Sequence, residues 1–156
     1  MSVFFFQFKD RFIKVTTVLA FFLAFFSCSD AVRDDFPRRS FVGYFDLSYA
    51  EYSQSVFTAR RDMMNDLVGV NGIVVYNSGG TYYAFDLMCP HEKSTGCSLT
   101  VDLEEDPSIA VCPCCGSQYL LASPYGEVIE GPSTRNLHVY ETGVSANNML
   151  VVSSGY

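Results

Sequence analysis

At 156 residues, 49% of them hydrophobic and 15% aromatic, the chain is long enough for one compact domain and too short for two. Ten Lys and Arg stand against 17 Asp and Glu, a net charge of −7. A balance this acidic repels nucleic acid and anionic lipid faces, so nucleic acid drops out as a partner class.

The first 28 residues read as an export signal. Lys9, Arg11 and Lys14 form a basic start, residues 15–26 are a twelve-residue apolar run, and Leu23-Ala24-Phe25-Phe26-Ser27-Cys28 closes it on a small residue before cysteine. The run is shorter than the roughly 18 to 20 apolar residues that cross a bilayer as a helix, which favours cleavage over spanning. The end of the signal is laid out like a bacterial lipobox, with Phe25 and Phe26 bulkier than the usual residues there. Cys28 is then the predicted lipidated first residue, and the alternative is a cleaved, secreted chain in which Cys28 is idle. Residues 29–40 (SDAVRDDFPRRS) are polar and proline-containing, a tether from membrane to domain. These parts predict a protein anchored by lipid in the bacterial cell envelope, with the domain over residues 41–156. Without residues 1–28, which hold three cations and one anion, its net charge is −9.

Beyond the tether, β signals dominate. Residues 41–47, 72–76 and 81–85 are short β-branched and aromatic runs, and Asn77-Ser78-Gly79-Gly80 joins the last two as a hairpin turn. Further short strands are predicted at 109–111, 119–121, 127–130, 137–141 and 149–153, with turns at Pro124-Tyr125-Gly126, Gly131-Pro132 and Asn147-Asn148. Residues 50–66 read as an irregular loop with a short helix. The acidic run at 102–106 lacks the spacing and glycine of a calcium loop and reads as a solvated hairpin tip. His138 reads as a half-buried or surface side chain. The fold class is all-β, an antiparallel sandwich or barrel.

Chemistry concentrates in two short segments, Cys89-Pro90-His91 and, about twenty residues on, Cys112-Pro113-Cys114-Cys115-Gly116-Ser117-Gln118-Tyr119. Two turns that each offer two soft donors can grip one metal from both sides. Thiolate and imidazole select zinc or iron-sulfur clusters rather than calcium or magnesium.

Around these turns, residues 82–97 (YYAFDLMCPHEKSTGC) and 111–140 (VCPCCGSQYLLASPYGEVIEGPSTRNLHVY) resemble the Rieske iron-sulfur family, and the resemblance spans roughly residues 69–153. In that family a Cys-x-His turn and a Cys-Pro-x-His-Gly-Ser-x-Tyr/Phe turn hold a 2Fe-2S cluster beneath a Gly-Pro loop. The resemblance implies a Rieske-like antiparallel β sandwich or barrel with two metal-binding loops at one tip. It implies Cys89 and His91 on one side of the metal and Cys112 and Cys115 on the other, with a disulfide between Cys97 and Cys114. Ser117 and Tyr119 match hydroxyls that hydrogen-bond the cluster, and Gly131-Pro132 matches its lid. The chain departs from the family at Cys115, which stands where a second ligand histidine is usual, and in a first loop three residues longer before Gly96-Cys97.

The resemblance implies one-electron transfer with no bond chemistry, through a 2Fe-2S cluster and to a redox or envelope partner that the sequence does not name. Two rivals stay open: Cys3His is also a common closed zinc set, and a metal-free module held by disulfides would keep the fold as an envelope scaffold. No Arg-Arg pair precedes the apolar run, as twin-arginine export of a preloaded cluster would require, and this favours the rivals.

Overall fold

The computed structural model describes residues 35–155. The predicted signal 1–28 with Cys28, and residues 29–34 of the predicted tether, lie outside the described residues. Ten strands run in chain order: β1 (Val42–Asp46), β2 (Val56–Ala59), β3 (Ile73–Ser78), β4 (Thr81–Asp86), β5 (Thr100–Asp102), β6 (Asp106–Val111), β7 (Gln118–Leu120), β8 (Val128–Glu130), β9 (Val139–Val144) and β10 (Met149–Ser153). The fold is all-β, and no helix forms among the described residues.

The strands make two antiparallel sheets, a six-stranded one ordered β1-β10-β9-β4-β3-β2 and a four-stranded one ordered β5-β6-β7-β8. The smaller sheet is an insertion between β4 and β9, which pair with each other across it through Ala84–Tyr140 and Phe85–Val139. The hairpin β3–β4 turns on Gly79 and Gly80, with φ of 63° and 97°, and the Asn77 side-chain oxygen accepts from Gly80 N at 2.7 Å. Two successive positive φ values suit the right-handed twist of the strands, and glycine adopts them without Cβ strain.

Successive residues of the central strands serve different cores. On β2, Val56 packs in one cluster and Phe57 in the other. On β3, Val74 faces the first while Ile73 and Val75 face the second, and on β4 Phe85 and Ala84 divide likewise. The first cluster joins these strands to Leu99, Ala110, Tyr119 and Leu121 of the smaller sheet region. The second fills the curl of the larger sheet with Phe45, Tyr140, Leu150 and Val152. A sheet buried on both faces reads as a continuous hydrophobic run, which is why 72–76 shows no alternation. β10 is the contrast: its burial alternates strictly.

Several expectations need correction. Residues 50–66 contain no helix; β2 lies inside them, too short at four residues to show a period. β5 also has no counterpart among the predicted strands, although the acidic run beside it is the tip of the β5–β6 hairpin, where Asp102 accepts from Glu104 N at 2.9 Å and Glu105 N at 3.1 Å. β9 starts at Val139, later than the predicted 137, because Leu137 turns into the first core cluster. Phe36, within the predicted tether, is buried and stacks on His138 with ring centroids 4.5 Å apart.

Strand directions gather several connections at one end of the larger sheet. The registers Ala59↔Ile73, Ile73↔Asp86, Phe85↔Val139 and Val42↔Ser153 place there the connections 60–72, 87–99 and 131–138 together with the entering segment 36–41.

Candidate metal centre

Asp86 closes β4 and anchors the turn that leads out of it. Its fully buried carboxylate accepts from Val70 N at 2.5 Å, Asn71 N at 3.2 Å, Met88 N at 2.6 Å and the Tyr140 hydroxyl at 2.7 Å. Four donors on two oxygens satisfy a charge that would otherwise be costly to bury, and they lock the chain just before Cys89. Cys89 begins a turn in which its carbonyl accepts from Lys93 N at 2.9 Å, with Lys93 at φ 49°. The second turn links β6 to β7. Cys112 N donates to Ser117 O at 2.8 Å and Gly116 N to Cys112 O at 2.9 Å, with Gly116 at φ 75°.

These two turns bring Cys89, Cys112 and Cys115 together, their sulfurs all within 4.8 Å of one another. Cys89 and Cys112 are buried and Cys115 is partly exposed; all three are free thiols. Cys97 and Cys114 are joined in a disulfide with Cα atoms 6.4 Å apart, which ties the first turn to the second. Cys97 Sγ lies 3.6 Å from Cys112 Sγ, so the bridge packs directly against the thiol group. His91 is on the same turn as Cys89 but exposed, outside the group of three sulfurs.

Two hydroxyls point at the thiols. Tyr119, fully buried on β7, places its oxygen 3.3 Å from Cys89 Sγ. Ser117 Oγ accepts from Cys115 Sγ at 3.2 Å and from Ser133 N at 3.0 Å, and once Cys115 is a thiolate the hydroxyl can turn its own proton to the sulfur. Burial, and then the neighbouring Cys89, hold the Tyr119 hydroxyl protonated by raising its pKa. Burial also pushes the Cys112 thiol up to about 11. Burial acts on Cys115 in the same sense, yet the Ser117 hydroxyl and N–H, with smaller help from Cys112 and Cys89, outweigh it and lower its pKa. A thiolate at Cys112 would be stabilised by a cation beside it, as a bound metal would provide.

Gly131 and Pro132 lie over this turn. Gly131 adopts φ 97°, and a Cβ there would stand 2.5 Å from Ser117 Cα, so only glycine lets the β8–β9 connection approach so closely. Ser133 and Asp86 are site residues that the sequence reading missed. The signal for Ser133 was its place directly after Gly131-Pro132, and for Asp86 its charge at the end of an apolar strand. His138 is half-buried between Phe36 and Tyr140, away from the sulfurs, as its place beside a strand predicted.

Three converging thiols, two hydroxyls directed at them and a histidine on the adjoining turn are a donor set whose chemistry fits a thiophilic metal centre. A β fold with such a centre between two disulfide-linked turns defines a class of candidate metal-binding proteins. The Rieske 2Fe-2S domain family matches residues 49–141, and the chain belongs to that family. Among solved structures, the cyanobacterial plasma membrane Rieske protein PetC3 from Synechocystis PCC 6803 is similar at 27% identity and a TM-score of 0.46, covering 68% of this chain and 90% of its own. The complex of reduced oxygenase and oxidized ferredoxin in carbazole 1,9a-dioxygenase matches at 22% identity and a TM-score of 0.42, over 64% of this chain and 80% of that one. No curated protein matches.

Proposed function

We propose that this protein is a 2Fe-2S electron-transfer protein of the cell envelope, anchored through Cys28. The observation that carries the reading is the convergence of Cys89, Cys112 and Cys115 inside a Rieske domain, with Ser117 and Tyr119 directed at two of the sulfurs. Cys89, Cys112 and Cys115 would hold the cluster as thiolates, and His91 would supply the fourth donor from the exposed side of its turn. When bound, the cluster takes up and releases one electron. The protein's own residues set how readily that happens. Cys115 in place of a histidine adds a negative charge to the site and makes reduction harder, while hydrogen bonds from Ser117 and Tyr119 favour the more negative, reduced state. The disulfide Cys97–Cys114 and the Gly131-Pro132 connection hold the two turns together and cover them.

Native protein purified anaerobically should contain two iron and two acid-labile sulfide per chain. Dithionite should give a paramagnetic signal, at a potential between roughly −400 mV for all-thiolate clusters and the lower end of the two-histidine range near −150 mV. Cys115→His should raise it. Colourless, iron-free protein would overturn the reading: one zinc per chain would assign a closed structural site, and no metal a scaffold held by its disulfide.

A further inference from the structure

Residues 60–68 connect β2 to β3, and one carboxylate sets their shape. Asp62, 6% exposed, accepts from Tyr44 N at 3.2 Å, Met64 N at 2.9 Å and Asp66 N at 2.9 Å, while Met63 N donates to Tyr44 O at 3.2 Å. The loop is thereby fastened to β1, and Asn65 takes φ 68° at its apex. A loop held this way shows its apolar side chains to solvent by construction: Met63 is 43% exposed, Met64 65% and Leu67 41%, beside Val42 of β1 at 49%. Single exposed apolar residues are ordinary, but a group on one fastened loop is a contact patch.

The rim of that patch is basic. Arg39, Phe41, Val42, Arg61, Asp66 and Leu67 line a groove of about 450 Å³. Arg38, Arg39, Arg60 and Arg61 are four of the six Lys and Arg in residues 35–155, which hold fourteen Asp and Glu. The net charge argues against anionic lipid, but Arg39 and Arg61 both line this groove, with Asp66 as their exposed counter-charge, while Arg60 lines a separate groove and reaches Ser98 at 3.0 Å. Arginines around exposed methionine and leucine are the chemistry of an interfacial membrane contact, apolar tips at the headgroup boundary and guanidinium groups on phosphate.

Position favours a bilayer over a protein as the occupant. The patch lies at the end of the sheet where the chain enters through residues 36–41, and that end also carries the turns with Cys89 and Cys97. Only eleven positions separate Arg39 from Cys28 in sequence, at most about 40 Å of extended chain. We infer that this end of the domain docks on a bilayer containing anionic phospholipid, with Met63, Met64 and Leu67 at the headgroup boundary and Arg39 and Arg61 on lipid phosphates. The inference rests on the envelope attachment proposed above for the presence of a membrane, and it adds orientation.

The chain contains no tryptophan, so Met64→Trp places a single indole in the patch and Leu103→Trp places one at the distant β5–β6 tip as a control. The full-length anchored protein would be reconstituted into phosphatidylcholine vesicles with and without phosphatidylglycerol, their acyl chains brominated. In anionic vesicles the indole of the Met64→Trp chain should shift to the blue and be quenched several-fold, and that of the Leu103→Trp chain should not. Adding Arg39→Glu and Arg61→Glu should weaken the quenching at least about fivefold, and raised salt should weaken it too. Flotation with the vesicles reports the anchor separately from the docking. A chain that floats while its Met64→Trp indole stays in water overturns the docking and leaves the anchor standing. Quenching by added anionic vesicles of a chain that does not stay attached supports the docking and overturns the anchor. Equal quenching in neutral vesicles, indifferent to the arginine changes, overturns the phosphate contact. Shielding seen only in native membranes, without lipid quenching, assigns the face to a membrane protein and overturns the inference.

Discussion

Two side-chain hydroxyls and one missing Cβ carry much of the site's character. Ser117 and Tyr119 each contact one thiol sulfur, Cys115 and Cys89 respectively. A hydrogen bond worth about 1 kcal/mol more to the reduced site moves a one-electron potential by roughly 40 mV. Ser117→Ala and Tyr119→Phe in the iron-loaded protein should each lower the potential by about that much, read by redox titration of the paramagnetic signal, while iron content is retained. Glycines make the steric point. Gly116 has φ 75° with nothing within 4 Å of its absent Cβ, whereas Gly131 at φ 97° would drive a Cβ into Ser117 backbone atoms at 2.5 and 2.9 Å. Gly116→Ala should therefore cost roughly 1 kcal/mol of backbone strain, and Gly131→Ala several times that, because the β8–β9 connection must lift off the turn. Thermal unfolding of the two variants side by side tests the difference.

Among the elements, β4 is the one that delivers the site. Its interior residues, Ala84 and Phe85, are buried in opposite cores, and Asp86 then ties residues 70, 71 and 88 and the β9 residue Tyr140 to the end of the strand. Removing that carboxylate leaves three backbone N–H groups and one hydroxyl without their acceptor. At roughly 1 to 3 kcal/mol for each unsatisfied buried group, Asp86→Ala is expected to consume most of the 5 to 15 kcal/mol that stabilises an ordinary domain. Asp86→Asn keeps one carbonyl acceptor and should fall between. Urea melts give the order, and hydrogen exchange at residues 70, 71 and 88 should show where the damage begins. The disulfide belongs to this scale as well, since it joins the connection after β4 to the turn after β6 and leaves Cys89, Cys112 and Cys115 as the thiols.

In the whole molecule as proposed, a short segment joins a redox domain to a membrane. Cys28→Ala should abolish incorporation of labelled lipid and move the protein from the membrane fraction to the soluble one after lysis. Membrane attachment that survives the substitution would point to residues 15–26 as an uncleaved anchor instead. The charge distribution adds a point that net charge conceals: the domain is acidic overall, yet Arg38, Arg39, Arg60 and Arg61 fall in the entering segment and the 60–68 connection. The end of the sheet that receives the chain is thus also the end that carries these arginines and the one from which the connection with Cys89 and Cys97 departs.

The sequence by itself determined the all-β class, the Gly79-Gly80 hairpin and the family, because each is written in residues close together: β-branched runs, paired glycines, and cysteines at fixed spacing around proline and serine. It also named the sulfur-bearing positions. Spacing along the chain does not say which sulfurs meet across two loops: the family resemblance implied the pair Cys97–Cys114, and the tertiary structure joins those two and brings Cys89, Cys112 and Cys115 together while leaving His91 outside their group. The same holds for β2 and β5, three or four residues long and stabilised by partners far away, and for Ser133 and Asp86, whose roles exist only when distant N–H groups arrive at their oxygen atoms or, for Ser133, its N–H reaches the oxygen of Ser117. Local patterns record what neighbours in sequence do to one another; contacts between remote segments are fixed by the packing of two cores against a shared sheet, and that information is spread over the whole chain.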